Sequence, residues 1–441
     1  ININYKIQYF NNKNKVQAGH DLTLNTTGTL NNDNILLAGN VNHIQAQNIN
    51  NSEFAQIAGS QTEILSNGTT TNRGLIDGNN TYLKATTINN IGTGRIYGNH
   101  ISVAAETLNN TDETIAGKNT AATIAARQQL DIGAQTINNR EHATLYADGT
   151  LNIGGALDSN RRATGQANII NNASATIEST GDMNLTAQSI NNTNEDFSVR
   201  WIDAPVSTQY IEEYALAGQP THYTGGTWDR RSGEKNQQWA YYTTADGQVI
   251  PGEHWDIWKY DRNTYQQEVA SSDPAKIIVG GNLTLSGGVL TNDKSQILVG
   301  GLLSDTGLEK VEQIAAEGQQ RIETDGTYTF SSWKKGYYSG VKKRPRRYEN
   351  TSDYTSLGSN PNVATVYSTL ILPVTAYEQN QSIPASDVST GSLNTGSGVQ
   401  TVTGIEESST PNLSTNTSIA ATTIASVQSV NATHPTLIKS G

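Results

Sequence analysis

The chain has 441 residues, 40 glycines, no cysteine and a formal net charge of −11. Without cysteine it holds no disulfide framework and no thiolate-ligated metal site, and no apolar run reaches the ~20 residues that span a bilayer as a helix. The negative charge argues against a general nucleic-acid binder, because affinity for phosphates depends on basic residues. The chain starts at an isoleucine without a basic and apolar leader, so we expect an internal fragment of a longer or processed protein.

Glycines recur every 19 or 20 residues in the first part of the chain, at Gly19, Gly39, Gly59, Gly78, Gly98 and Gly117. After several of them apolar and polar residues alternate, as at Leu22 and Leu24, and a triplet such as Leu30-Asn31-Asn32 follows. A fixed period near 20 with two-residue alternation is typical of a solenoid of short strands. Leucine-rich repeats share the period but need a helical side, which is missing here. The pattern therefore predicts an all-β fold, a right-handed parallel β-helix with aromatic-rich β-hairpin insertions.

The same pattern predicts where side chains point. Apolar residues are expected inside, stacked on their counterparts one coil away, while asparagine, threonine and glutamine face water. Asparagine before a turn can bond its own backbone or stack in a ladder along the fibre axis, and glycine relieves the tightest corner. Roughly ten coils fit into residues 1–195. The looser spacing at 117–181 predicts irregular coils or loops.

Aromatic residues divide the chain by composition. Of 29 aromatic residues, seven lie in residues 1–195, 19 in residues 196–348 and three beyond. The coil pattern returns near Leu283, so the aromatic stretch interrupts one solenoid, and such insertions often form the binding face. A strand is expected at 365–373, laid along the shaft. The predicted segments are a β-helix shaft at 1–195, an aromatic-rich insertion at 196–276, returning coils at 277–307, a basic and aromatic hairpin excursion at 308–349, and a strand with a Ser/Thr-rich connector at 350–441.

The sequence of the first insertion predicts strands that carry tryptophan and tyrosine side chains. Residues 238–244 and 248–250 flank Ala-Asp-Gly and predict a hairpin, and 254–260 predict another strand. Tryptophan and tyrosine are favoured interface anchors, because they supply a large rigid area and a polar handle. The alternative is that the rings pack the insertion's own core, although so many rings exceed what a small core hides. The aromatic candidates for receptor binding are Trp201, Tyr210, Tyr214, Tyr223, Trp228, Trp239, Tyr241, Tyr242, Trp255, Trp258, Tyr260 and, from the second excursion, Trp333.

Seven basic residues cluster in the second excursion with no acidic residue among them. Subtracting their seven charges from −11 leaves −18 for the rest of the chain. Basic residues beside rings suit phosphates, lipopolysaccharide head groups or acidic loops of a partner. The alternative is a solvated hairpin tip, or a seat against the acidic remainder of the chain. The basic candidates for receptor binding are Lys334, Lys335, Lys342, Lys343, Arg344, Arg346 and Arg347.

Enzyme motifs are missing from the sequence. There is no Gly-x-Ser-x-Gly, no His-Glu-x-x-His and no phosphate-binding glycine loop. Polysaccharide-cleaving β-helices need aligned carboxylates or a calcium-binding Asp cluster in one groove, and the acidic residues of these repeats do not align. His254 and Asp256 share a strand face, with His222 and Glu253 nearby, but two groups on one strand more commonly serve structure. We predict no catalytic residue, no cofactor and no metal ion.

The repeated Gly-Asn/Asp-Leu-x-Leu with the apolar-Asn-Asn triplet resembles the filamentous haemagglutinin repeats of exoproteins exported by two-partner secretion. The resemblance covers most of residues 16–195 and returns at 277–303. The middle of the chain is similar to the central region of contact-dependent growth inhibition effectors, the CdiA family. That similarity rests on the segments Ile211-Glu-Glu-Tyr214, His254-Trp-Asp-Ile-Trp-Lys-Tyr-Asp-Arg262, Gly326-Thr-Tyr-Thr-Phe330 and Leu372-Pro-Val-Thr-Ala-Tyr377.

The resemblance implies a protein secreted to the surface of a Gram-negative bacterium with the help of an outer-membrane secretion partner. It implies that this region recognises an outer-membrane protein or lipopolysaccharide of a neighbouring bacterium, and that domains outside this chain deliver a toxin. We expect a monomer without a nucleic-acid partner. Two alternatives stay open: a generic filamentous adhesin that binds host glycan or protein, and a β-helical polysaccharide lyase or hydrolase.

Overall fold

The computed structural model describes residues 1–5, 8–230, 240–338, 341–372 and 437–439. Over these residues the fold is all-β and contains no helix, so the described part offers no helical membrane span. The chain divides into two compact units. Unit 1 comprises Ile1–Ser198 and Val269–Ala316 with Leu372 and the strand at Leu437–Lys439, and unit 2 comprises Val199–Glu268 and Glu317–Ile371. The rest of the predicted Ser/Thr-rich connector lies outside the described residues.

Unit 1 is a parallel β-helix in which each coil places one strand on each of three faces, which are numbered in chain order. Strands one coil apart pair in register, so that Leu24 lies beside Ile44 and Ile44 beside Ile64. The first four coils each comprise three separate strands. Their bounds are β1 (Asn2–Tyr5), β2 (Tyr9–Asn12), β3 (Val16–Ala18), β4 (Leu22–Thr26), β5 (Thr29–Asn32), β6 (Ile35–Ala38), β7 (Val41–Ala46), β8 (Asn48–Asn51), β9 (Gln56–Ala58), β10 (Gln61–Ser66), β11 (Thr69–Asn72) and β12 (Leu75–Asp77). In this numbering β4, β5 and β6 lie on faces 1, 2 and 3.

Later coils contain longer strands that turn from one face to the next. Coils 5 to 11 begin on face 1 at Asn80, His100, Gln129, Thr150, Met183, Leu283 and Leu303. The parallel pairings continue through eleven coils within the described residues. The strands of unit 1 beyond coil 4 are β13 (Asn80–Lys84), β14 (Thr87–Ile91), β15 (Arg95–Ile115), β16 (Lys118–Ala121), β17 (Thr123–Arg140), β18 (Thr144–Ala147), β19 (Thr150–Gly154), β20 (Ala156–Leu157), β21 (Ala163–Thr164), β22 (Ala167–Ala173), β23 (Thr176–Ser179), β24 (Met183–Thr193), β32 (Lys276–Val279), β33 (Leu283–Asp293), β34 (Gln296–Val299), β35 (Leu303–Gly307), β36 (Lys310–Ile314) and β40 (Leu437–Lys439).

The interior of the coils is a continuous apolar column. On face 2, Leu30, Ile49, Ile88 and Leu108 are fully buried and lie in register along the axis, with Thr70 in the coil between Ile49 and Ile88. A fully buried leucine or isoleucine contributes about 1.5–3 kcal/mol relative to an exposed one. The predicted inward stacking is therefore confirmed, and it follows from the two-residue alternation of each strand.

A ladder of buried asparagines runs beside this column. The second asparagine of each apolar-Asn-Asn triplet points inward, and its Nδ2 donates to Oδ1 of its counterpart in the next coil at 2.7 or 2.8 Å from Asn12 to Asn292. In the last step Asn292 donates to Oε1 of Gln313 at 2.9 Å. The predicted ladder is confirmed. The expectation that all these asparagines face water is wrong for the inner row, since an amide that finds an identical partner in every coil no longer needs solvent.

From Asn12 to Asn192 the other hydrogen of each inner amide reaches the backbone of the following coil. Asn90 Nδ2 donates to the carbonyl of Thr123, the first residue of its strand, at 3.1 Å, and Asn172 Nδ2 does the same to Lys276 at 3.0 Å. These bonds form although 33 and 104 residues separate the partners in sequence. The amides therefore fix the start of the face 3 strand whatever length of chain precedes it.

The first asparagines of the triplets form an outer row with the opposite direction. Asn31 Nδ2 donates back to Asn11 Oδ1 at 2.7 Å, and Asn109 Nδ2 donates back to Asn89 Oδ1 at 2.8 Å. Threonine replaces asparagine at residue 71, where the outer row is interrupted. The inner row passes this coil without a gap through Asn72.

Two hairpins account for the loose spacing at 117–181. β15 and β16 pair in antiparallel fashion, and β20 pairs with β21. Gly117 lies at the tip of the first hairpin with φ +80°, so its assignment to a coil corner from the 20-residue spacing is wrong. Gly39 does occupy a corner, because an added Cβ would lie 2.2 Å from the carbonyl oxygen of Gly19 one coil earlier. The hairpins lengthen their coils, and the first 195 residues hold eight complete coils and two faces of a ninth rather than ten.

Unit 2 is formed from antiparallel sheets. Its seven-stranded sheet has the order β27-β26-β31-β37-β38, with β25 beside β31 and β39 beside β37, and a three-stranded sheet has the order β28-β29-β30. The predicted strand at 365–373 is present as β39 but pairs within unit 2 instead of along the shaft. The bounds are β25 (Ser198–Trp201), β26 (Ser207–Leu216), β27 (His222–Tyr223), β28 (Thr227–Arg230), β29 (Ala240–Thr243), β30 (Val249–Gly252), β31 (His254–Ser271), β37 (Glu317–Tyr338), β38 (Val341–Asp353) and β39 (Val366–Ile371).

We expect Asn90→Ala to destabilise unit 1 by about 2–4 kcal/mol, because it removes two donors and one acceptor from fully buried partners. Chemical denaturation followed by circular dichroism measures the change. The matched control is Asn89→Ala in the neighbouring outer row, where water replaces the lost bond and the cost should stay below about 1 kcal/mol. Equal losses of stability in both variants would show that the inner row contributes no more to stability than the outer row.

We expect Glu141→Gln to raise the melting temperature at pH 8 but not at pH 5. Burial, followed by the neighbouring carboxylates Glu195, Asp112 and Asp196, raises the pKa of Glu141 from 4.5 to about 7. A raised carboxyl pKa means that folding becomes less favourable as the pH rises from the unfolded towards the folded value. Because the side chain is only half-buried, solvent screens part of this effect and the gain at pH 8 should be about 1 kcal/mol. A pH-independent effect would contradict this account.

Candidate functional site

The rings of unit 2 lie on two sides of its seven-stranded sheet. Cross-strand pairing places Tyr214 beside Ile257 and Leu216 beside Trp255 on one side, which we call the core side. The three-stranded sheet adds Tyr242 to the same cluster. Tyr214, Tyr242 and Trp255 are buried, with ring centroids 5.2 Å apart for the first pair and 6.5 Å for the second. The core side is therefore the packed interior of unit 2.

The opposite side, which we call the open side, carries His222, Trp258 and Tyr328. The imidazole of His222 stacks on the Trp258 ring at 4.6 Å and 17°, and the Tyr328 ring lies 5.5 Å from Trp258. Trp258 and Tyr328 are half-buried and His222 is exposed. His222 lies on β27, Trp258 on β31 and Tyr328 on β37, with β26 between the first two strands, so the rings form one row across four strands of the sheet.

Two carboxylates orient the rings of the open side. Glu213 accepts a hydrogen bond from the Tyr260 hydroxyl at 2.9 Å and lies 2.8 Å from His222 Nδ1. Asp256 accepts from the Tyr328 hydroxyl at 2.7 Å. Burial and then these carboxylates raise the pKa values of Tyr260 and Tyr328 to about 12, so both hydroxyls stay protonated at neutral pH and remain donors. The row is held in place before any ligand arrives.

A second aromatic feature surrounds Arg321 on the core side, away from the buried cluster. Its guanidinium lies 4.3 Å from the Trp201 ring centroid and 4.7 Å from that of Tyr265, and it pairs with Glu323 at 2.8 Å. Tyr367, directly opposite on β39, is 62% exposed. Arginine between aromatic faces is typical of cation–π packing, and Glu323 already neutralises this charge.

The structure places the twelve aromatic candidates in very different environments. Four are buried, which corrects their assignment to a contact surface: Tyr214, Tyr242 and Trp255 belong to the core cluster, and Tyr260 is covered on the open side, where its ring lies 5.1 Å from that of Tyr354. Half-buried candidates are Trp201, Tyr223, Trp228, Tyr241, Trp258 and Trp333. Tyr210 is 60% exposed, and Trp239 lies outside the described residues. Among the half-buried rings, Tyr223 and Trp228 pack against the core cluster, whereas Trp258 faces the open side.

The predicted hairpins are confirmed, and the basic candidates lie on one of them. β29 pairs with β30, and β37 pairs with β38 in antiparallel register. Arg347 packs 5.4 Å from the Trp228 ring and pairs with Glu349, so it helps to close the core side. For the other six the structure describes only the backbone: Lys334, Lys335, Lys342, Lys343, Arg344 and Arg346. β36, which the sequence assigned to this excursion, is instead a coil strand paired with β33.

The weak enzyme candidates do not meet in one site. His254 stacks on Phe330 at 6.1 Å, while Asp256 bonds to the Tyr328 hydroxyl and His222 to Glu213. His254 has a ring and Asp256 a hydroxyl as its neighbour, and His222 contacts the single carboxylate of Glu213, so these contacts bring no two carboxylates together. Among the described residues no group of three or more His, Asp and Glu side chains is placed to hold a metal ion.

Sequence reasoning missed several residues of these surfaces. Glu213, Tyr328, Arg321 and Tyr367 are not among the predicted contact residues, although alternation along the strands signals them once the cross-strand register is known. Comparisons with protein-family profiles, with curated proteins and with solved structures each find no match to this chain. The function is therefore argued from the surface itself.

We expect Trp255→Ala to destabilise unit 2 by about 3–5 kcal/mol and Trp258→Ala by only about 1 kcal/mol. Trp255 is fully buried, and its Nε1 donates to the Gly252 carbonyl at 3.2 Å, so truncation leaves a large cavity. Trp258 is half-buried on the open side and loses less contact. Thermal melting followed by near-ultraviolet circular dichroism tests this. Similar losses for both would mean that the open side is also a core.

Proposed function

We propose that this chain is the receptor-binding part of a secreted filamentous bacterial exoprotein. It recognises an outer-membrane receptor on a neighbouring bacterium, and domains outside this chain then deliver a toxin. The observation that carries the proposal is the construction of unit 2. Two stretches that leave the β-helix at different points pair β31 with β37 along thirteen residues and form one sheet, whose open side displays a fixed row of rings.

The chemistry of the open side suits recognition. An exposed sheet face is ordinarily polar, and aromatic side chains with limited freedom are efficient anchors because little entropy is lost when they bind. Here Glu213 and Asp256 fix the neighbouring rings, so the Trp258 surface is prepared for contact. The core-side rings have no such role, since they already pack against one another.

The alternatives fit less of the structure. A generic adhesin that binds host glycan or protein would use the same surface, and only the identity of the bound cell separates it from the main proposal. For a polysaccharide lyase or hydrolase, a pair of carboxylates free to exchange protons in one groove is required. The carboxylates of the open side instead accept hydrogen bonds from tyrosine hydroxyls, which supports binding over catalysis.

We expect Trp258→Ala to weaken binding of the chain to receptor-bearing bacteria by about 30-fold or more, the effect of a hot-spot residue of at least 2 kcal/mol. His222→Ala should weaken binding in the same direction, because it removes the stacked partner of Trp258. Flow cytometry with labelled protein measures binding. The matched control is Tyr210→Ala, which removes a 60% exposed ring from the core side of the sheet and should leave binding unchanged.

The outcome is decided on folded variants only, as judged by near-ultraviolet circular dichroism. Full binding by Trp258→Ala would contradict the assignment to the open side, and full loss in Tyr210→Ala would move the contact to the other side. Bacteria that lack individual outer-membrane proteins then identify the receptor. Loss of binding on one deletion names a protein, and undiminished binding on all deletions favours lipopolysaccharide. Binding to host cells alone would support the adhesin alternative.

A further inference from the structure

Coil 4 (Gln61–Asp77) carries three charged side chains that pair with coils beyond their immediate neighbours, and one of them, Glu63, also contacts His43 in coil 3. Glu63 on face 1, Arg73 after face 2 and Asp77 after face 3 each contact a residue two or more coils away. We propose that these ties bind coils 4 to 9 into one cooperative block within the β-helix. Coils 1 to 3 then form a separate part that opens first.

The longest tie is the hairpin β20–β21, which leaves coil 8 and reaches back across face 1. Arg161 at its turn donates from Nη2 to Glu63 Oε1 in coil 4 at 2.5 Å, and its guanidinium lies 4.0 Å over the Tyr82 ring in coil 5. Its carbonyl accepts from Ser102 Oγ in coil 6 at 3.0 Å. Arg162 pairs with Asp131 in coil 7 at 3.2 Å. The hairpin therefore touches every coil between its own and coil 4.

The turn that presents Arg161 is itself fixed. Oδ1 of Asp158 accepts hydrogen bonds from the backbone N–H groups of Asn160 and Arg162 at 2.8 and 2.9 Å, and Arg161 takes φ +62°. A non-glycine residue in this region is uncommon and needs support from its surroundings. Burial alone would raise the pKa of Glu63, but its hydrogen bonds with Arg161 and His43 hold the pKa below the usual value, so the carboxylate is charged at neutral pH.

A second tie connects the turns after face 2. Arg73 in coil 4 donates from Nε and Nη2 to both oxygens of Glu113, each at 2.7 Å. Glu113 lies on the β15–β16 hairpin of coil 6, which folds back over Gly92 of coil 5, where an added Cβ would meet the Glu113 side chain at 2.9 Å. A two-pronged pair of this kind has a fixed geometry as well as a charge attraction.

Two more ion pairs join residues of coils that are not adjacent. Arg127, beyond face 3 of coil 6, lies 3.5 Å from Asp77 and donates to Asn99 Oδ1 at 3.1 Å. Arg140 of coil 7 donates to both oxygens of Glu195 in coil 9 at 2.6 and 2.7 Å. Among the described side chains of coils 1 to 3, the ion pairs of His20 and His43 stay within one coil or reach only the next.

The difference between coils 1 to 3 and coils 4 to 9 matters because a solenoid otherwise holds together through contacts between adjacent repeats alone. In that case any coil can open without regard to distant ones. A pair that skips coils is lost whenever any coil beneath it opens, so it couples their opening. Coil 9 is also where the chain departs for unit 2 after β24, and the block therefore includes the coil that supports this departure.

Hydrogen–deuterium exchange of the intact chain, resolved by mass spectrometry, tests the proposal with Arg161→Ala. We expect amide exchange in β10 and β13 to rise about tenfold relative to the unchanged protein, with exchange in coils 1 to 3 unaffected. Arg162→Ala is the matched control, since it lies one residue away on the same hairpin and pairs only with the adjacent coil. It should leave β10 and β13 protected.

A second variant separates the tie from damage to the hairpin. Glu63→Gln keeps the shape of coil 4 but removes the charge that Arg161 binds, and it should reproduce the faster exchange of β10 and β13. The proposal is overturned if both variants leave these strands protected, or if exchange rises equally in coils 1 to 3. It is also overturned if Arg162→Ala has the same effect as Arg161→Ala, which would show general loosening of the hairpin.

Discussion

The buried asparagine ladder is the constraint on which the β-helix depends. From Asn32 to Asn192 each inner amide uses both hydrogens, one for the next asparagine and one for the backbone, and its oxygen accepts from the coil before, as Asn90 does. A buried polar group without partners costs about 1–3 kcal/mol, so this position tolerates little besides asparagine once its neighbours are asparagine. In coil 11 the longer, exposed side chain of Gln313 supplies the acceptor for Asn292. The inner amides all donate towards higher coils, and the outer row donates the other way, so their dipoles oppose each other along the axis.

The ladder also explains how a narrow core can be stable. Each coil encloses only a few leucine, isoleucine and valine side chains, and adjacent coils provide most of the contacts. Hydrogen bonds in a row polarise one another, which strengthens the chain of amides beyond its separate members. Arginine pairs such as Arg73 with Glu113 add contacts at a longer distance on the outside. The coils are thus held together along the axis by neutral asparagine amides inside and by charged side-chain pairs outside.

The sequence was sufficient for the β-helix because its signals are local and repeated. Alternation at Leu22 and Leu24 identifies an inward pair, and the recurrence of the triplet identifies the coil. The inward direction of the second asparagine could not be predicted, because a polar residue becomes suitable for the interior only when its partner one coil away is known. Gly117 shows the opposite error. Its distance from Gly98 fits the repeat, but the residue lies at the tip of the β15–β16 hairpin and not at a coil corner. For unit 2, Trp255 and Trp258 are equivalent by type, and only the added three-stranded sheet decides which is buried.

The bond from Asn172 to the carbonyl of Lys276 has a consequence for how such proteins diversify. The coil is closed by an amide on one strand and a carbonyl on another, and the stretch Val199–Glu268, which lies between them in the chain, belongs to unit 2 and takes no part in that bond. Asn192 and Asn292 are likewise linked directly although they are 100 positions apart in the chain. A different insertion of any length could therefore occupy this gap without altering the register of the coils on either side. The inserted segment can therefore be exchanged for another while the coils of the β-helix stay unchanged.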